Sequence, residues 1–178
     1  MKLLRTIRLD PSDTFIFEPA AEPGEWAVTG GFLFWDADPD ALSGKTRAAF
    51  RSGFLGIDSL GWSTLVQIVD ASESDRAAAV DVLAQRLVER FGAPDLGAAR
   101  VAAEEEVTFA ASLCDHPAGT LIAMHRARED GAVRETFRSL RPREGEKPLR
   151  AFAFMEVEGE EEPSEAVDLM SLAQGERR

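Results

Sequence analysis

The sequence predicts an α+β fold: a mainly antiparallel sheet with an antiparallel helix pair packed on one face. Three observations carry this. Two alternating segments, Thr120 to Arg128 and Ala132 to Leu140, flank Asp130-Gly131, a two-residue hairpin signal. Two stretches with helical spacing of apolar residues lie back to back, separated only by Gly92-Ala93-Pro94. Further strand-like runs stand at the N-terminus and at Ser63 to Val69.

Leu3, Ile7 and Leu9 share one face of a half-buried strand. Asp10-Pro11-Ser12-Asp13 marks a turn, and Phe15-Ile16-Phe17 a short strand ended by Glu18-Pro19. Trp26 to Val28 and Phe32 to Trp35 read as strand pieces around Gly30-Gly31. Asp38-Pro39 signals a helix start, with the helix running to about Ser52 and stopping at Gly53. Gly53 to Gly61 reads as a loop, and the apolar, β-branched run Ser63 to Val69 as a buried strand.

Ser72 and Asp75 have the spacing of a capping box. Behind them Val80, Leu83, Ala84, Leu87, Val88 and Phe91 form an apolar stripe, with Gly92 as the stop. Pro94 opens a second helix over about Asp95 to Cys114, and so short a connection implies antiparallel packing. The hairpin register then sets Arg126 opposite Glu135, Met124 opposite Phe137 and Ile122 opposite Ser139 on one face. On the other face His125 meets Thr136 and Ala123 meets Arg138. Arg150 to Val157 alternates as a last strand. Residues 1–163 form one domain, and 164–178 an acidic tail with a short helix at about Glu165 to Ala173.

Composition narrows function by exclusion. The net charge of −12 opposes duplex nucleic-acid binding, which draws its affinity from neutralising phosphates, and disfavours anionic membrane surfaces. No apolar run approaches the ~18 residues of a membrane span, and the charged residues near Met1 read against a signal peptide. A single cysteine excludes an intrachain disulfide and suits the cytoplasm. No Walker A or Rossmann glycine pattern is present and no cofactor is implied. Gly56 to Gly61 approaches a nucleophile elbow but lacks the glycine two residues before Ser59.

Three groups of residues invite a chemical reading. Glu104, Glu105 and Glu106 are consecutive on a helix, where neighbours stand ~100° apart, so all three cannot face water. Ala99, Ala102, Ala103, Phe109, Ala110 and Leu113 define the apolar face, and Glu106 falls near its middle. Glu106 is therefore a candidate general acid or ligand contact with a raised pKa, or one half of a structural ion pair. Cys114, His116 and His125 form an alternative metal set without recognised ligand spacing. Cys114 as a nucleophile is opposed by the negative end of its helix. His125, Arg134 and Arg138 share a hairpin face within a locally basic stretch, a candidate contact for an anion or an acidic partner.

At KLLRTIRLDPSDTFIFEPAAEPGEWAV, AAFRSGFLGIDSLGWSTLV, AEEEVTFAASLCDHPAGTLIAMHR and RAFAFMEVEGE the sequence resembles members of a small bacterial family of unknown function, over nearly its whole length. The resemblance implies no activity, cofactor or catalytic residue. The reading is an accessory or interaction protein with a protein partner or a homodimer as its expected contact. The alternative is a small-molecule domain or enzyme that uses Glu106, His125, Arg134 and Arg138 on an anionic ligand.

Overall fold

The computed structural model describes residues 1–142 and 155–158. A five-stranded antiparallel sheet has the order β1-β5-β6-β7-β8, built from Lys2–Ile7, Leu65–Asp70, Leu121–Glu129, Ala132–Pro142 and Met155–Glu158. A smaller antiparallel sheet has the order β2-β3-β4, from Ala27–Val28, Phe54–Gly56 and Trp62–Ser63. The sheets meet where Arg5 bridges Trp26 and Thr6 N–H donates to Glu25 O at 2.9 Å. The expected α+β class is the one found. The expected tail helix and most of the Arg150 to Val157 strand lie outside the described residues.

Helices α3 (Glu73–Phe91) and α4 (Leu96–Ser112) pack against each other. Ser72 and Asp75 make the reciprocal capping box, and Gly92 ends α3 with φ +71°. Asp95 Oδ1 caps α4 by accepting from Ala98 N at 2.8 Å. The buried ridge of α4 is Ala99, Ala103, Val107 and Ala110. Small side chains at spacing four let it lie close over β1 and β2. Ala102 and Phe109, expected inward, are exposed. Val107 takes the centre of the buried face, and Glu106 stands at its edge rather than in its middle.

The hairpin register is the one read from the sequence, pair by pair from Ile122↔Ser139 to Arg126↔Glu135. Asp130 and Gly131 both take positive φ, 51° and 80°, as a tight hairpin turn requires. On its other edge from β1, strand β5 pairs with only Leu121 to Ala123 of β6. The rest of β6 therefore projects past β5, and helix α2 (Gly44–Ser52) packs against it.

Four local expectations differ from the structure: two strands, a helix start and a loop. Ser12–Ile16 is a short helix, α1, not a strand; Asp10 Oδ1 accepts Ser12 N and sets its start. Gly31–Phe34 is a 3-10 helix because Gly30, at φ +72°, breaks the extended chain. A Cβ on Gly30 would also lie 2.8 Å from Leu55 Cβ, so this turn needs glycine twice over. Asp38-Pro39 forms turns only, and the helix waits until Gly44, whose φ of +54° stops a right-handed helix from running through. Gly53 to Gly61 carries β3 and a turn. Glu25, 7% exposed, holds that turn by accepting from Asp58 N and Ser59 N.

Candidate functional site

The β6–β7 hairpin turns one face toward α2, α4 and the 3-10 helix. Arg126, Arg128, Val133, Glu135 and Phe137 belong to that face. Across from it stand the 3-10 helix, with Trp35 just beyond, and the outer flank of α4. The space between is a cleft of about 620 Å³. Phe32, Trp35, Phe109, Val133 and Phe137 give it a largely apolar wall, and Glu106, Arg128 and Glu135 bring charge to it. Phe109 meets Phe137 edge to face, with ring centroids 6.1 Å apart. Trp35 is 85% exposed, unlike the buried Trp62 and unlike Trp26, which lies under the Arg5 guanidinium.

Beneath the cleft lies Arg126, with no exposure to solvent. Its Nε donates to Glu135 Oε1, Nη1 to Phe50 O and Nη2 to Thr29 O, each at 2.8 Å. One guanidinium thus ties β6 to β7, to the end of α2 and to the chain entering the 3-10 helix. Burial lowers its pKa, while Glu135 and Glu106 pull the other way. Gly31 is small for a related reason: a Cβ there would come 2.6 Å from Glu135 Oε1.

Glu106 lines the cleft with one carboxylate oxygen, Oε2, buried and without a hydrogen-bond partner. Desolvation pushes its pKa up to about 7; the Glu135 carboxylate and, more weakly, Glu105 add to the rise, and Arg126 opposes it. Glu104, two residues earlier and so on another side of the helix, is paired with Arg76 at 2.6 Å. The three consecutive glutamates therefore divide as helix geometry requires: one paired, one exposed and one in the cleft.

The other sequence candidates lie elsewhere. His125 neighbours Arg126 in sequence, so it points to the opposite face of β6, where it is exposed. Glu106 and His125 are not brought together. Arg134 and Arg138 are exposed on the same outward face as His125, and Arg134 pairs with Glu129 at 3.3 Å. Cys114 is buried at the end of α4, where desolvation raises its pKa to about 11 against a small opposing effect from Lys2. His116 O accepts from Lys2 Nζ, and His116 Nδ1 lies 3.5 Å from Arg141 Nη2. Among the described residues no three His, Cys, Asp or Glu side chains converge as a metal site would need, so Cys114, His116 and His125 stay apart. Ser59 is a turn residue, its Oγ accepting from Gly61 N at 3.0 Å.

Arg126, which the register sets opposite Glu135, is not among the site residues that the sequence offers. Its signal was present: a cation in phase with Ile122 and Met124, directly opposite a glutamate.

A family model, described as a family of unknown function (DUF6505), matches residues 1–158. The chain belongs to that family. The DUF6505 match covers both sheets, all four described helices and every residue of the cleft. No curated protein matches the chain, and no solved structure matches it. Among the described residues no helix is long and apolar enough to cross a membrane.

Proposed function

We propose that this chain is a small-molecule-binding domain whose ligand lies in the cleft between α4, the 3-10 helix and the β6–β7 hairpin. The observation behind the reading is Glu106 Oε2, a buried polar atom without a partner at the wall of an aromatic-lined cleft. Leaving such an atom unmatched costs about 1–3 kcal/mol, a cost that a ligand's polar group can offset. The aromatic rings supply most of the apolar contact, and the volume suits a drug-sized molecule. Of the residues the sequence offered for such a site, only Glu106 lies in the cleft. The single cysteine is consistent with work in the cytoplasm.

The test is a titration with toluene followed by amide and side-chain NMR. Millimolar toluene is expected to shift resonances of Phe32, Trp35, Phe109 and Phe137, and Phe109→Ala to weaken the effect. Shifts scattered over the whole surface, or none, would reject the reading.

A second reading, an accessory protein with an acidic partner, draws on the exposure of His125, Arg134 and Arg138 on one face of the hairpin. Charge reversal of Arg134 and Arg138 is expected to abolish capture of such a partner; unchanged capture would remove this reading.

A further inference from the structure

The charges around the cleft decide what kind of polar group it receives. Arg126 is committed to the protein: its Nε donates to Glu135, both terminal nitrogens donate to backbone carbonyls, and Nη2 also meets Met124 Sδ. Arg128, at the rim, has Asp38 at 3.8 Å. Among the described residues each cation at the cleft therefore has an acidic neighbour. Glu106 is the carboxyl left over, since Glu135 is already paired with Arg126. Among the described residues, an anionic ligand would meet the unpaired Glu106 carboxyl with only Arg128, at the rim and 3.8 Å from Asp38, to receive it. A neutral ligand could match Glu106 only while that side chain kept its proton.

The walls point the same way. Phe32, Trp35, Phe109 and Phe137 line the same cleft as Glu106. Aromatic faces attract an alkylammonium through the ring quadrupole, most strongly where water is excluded. A carboxylate among aromatic rings can hold such a cation at its head and its hydrocarbon at its body. We propose that the ligand of this cleft is a primary or substituted amine with an apolar body, its ammonium held by Glu106 and its hydrocarbon by Phe109, Phe137 and Trp35. This rests on the small-molecule reading above and reverses the charge expected from the sequence. There the arginines of the hairpin suggested an anion, but Arg134 and Arg138 lie on the other face.

The test compares three probes with one hydrocarbon body: hexylamine, hexanol and hexanoate. Binding is measured by calorimetry and NMR at about pH 8, where Glu106 with its pKa near 7 is mostly ionised. Hexylamine is expected to bind at least about tenfold more tightly than hexanol, with hexanoate weakest. Glu106→Gln should erase the advantage of the amine while leaving hexanol binding in place. Equal binding of hexylamine and hexanol in the cleft would overturn the amine assignment and leave the small-molecule reading standing. So would a preference for hexanoate. Failure of all three probes, together with failure of toluene, would overturn both. Because the decisive comparison is made on the unaltered chain, it holds even if the variant folds poorly.

Discussion

Arg126 Nε lies 2.8 Å from Glu135 Oε1, directly across the β6–β7 ladder, in a pair whose cation has no contact with solvent. The pair is more than a surface ion bridge because the same guanidinium also satisfies two carbonyls from distant segments. Removing it strands a carboxylate and two backbone acceptors together. Arg126→Met is expected to destabilise the fold by about 3–5 kcal/mol, measured by urea unfolding. Arg126→Lys should recover little, since one ammonium cannot reach three acceptors set out for a planar fork. A loss under about 1 kcal/mol for the methionine variant would mean that the guanidinium does not hold these segments together.

Glu106 should make stability depend on pH in a direction unusual for a carboxylate. Its folded pKa, about 7, lies above its unfolded value of 4.5, so the native state holds its proton more tightly. The contribution is fully present below the unfolded value and is lost as pH rises through about 7. Facing this group are Glu135 from β7, Arg126 and Arg128 from β6 and Glu105 from α4 itself. Glu106→Gln, which cannot ionise, is expected to raise stability by roughly 1–3 kcal/mol at alkaline pH and to change it little under acid conditions. Thermal unfolding of both proteins across that range reads the difference. Parallel curves would show that Glu106 is not desolvated.

The same proton links to binding. If the cleft takes an amine, Glu106 must be ionised in the complex. Hexylamine affinity should then fall about tenfold per pH unit below the free Glu106 pKa. It should level off above that pKa until the amine itself loses its proton. Calorimetry in two buffers of different ionisation heat would show the released proton. A flat profile would mean that the carboxyl does not meet the ammonium.

Cys114 should be inert. It is 4% exposed and its thiol pKa is raised to about 11, so little thiolate forms at neutral pH. A thiol-specific reagent is expected to label it only after unfolding. Labelling of the native protein at the rate of a free thiol would show that the end of α4 opens locally.

Gly30→Ala should cost about 1–3 kcal/mol through its left-handed backbone alone, and more through the clash with Leu55 and Trp62. Charge reversal at Arg134 and Arg138, on the exposed hairpin face, is expected to stay within about 0.5 kcal/mol of the parent. The contrast separates the part of the hairpin that holds the fold from the part free to meet a partner.

The sequence by itself determined the elements whose signals are local and periodic. The capping box at Ser72, the stop at Gly92, the α3–α4 pair and the register about Asp130-Gly131 all follow from neighbours a few residues apart. It also singled out Glu106, because three consecutive glutamates must divide among the faces of one helix. Tertiary structure decided the rest. The cleft exists only where the β6–β7 hairpin, α4 and the 3-10 helix come together, and these segments are tens of residues apart along the chain. Alternation along β6 already put Arg126 and His125 on opposite faces; only the packing of α2 and the chain entering the 3-10 helix makes the Arg126 face the inward one and separates His125 from Glu106. Charge taught the same lesson: a basic stretch along the chain reports a total, whereas the field in a cleft depends on which cations are already paired. Arg126 is spent on Glu135 and the backbone, and no count of residues along the chain could have shown it.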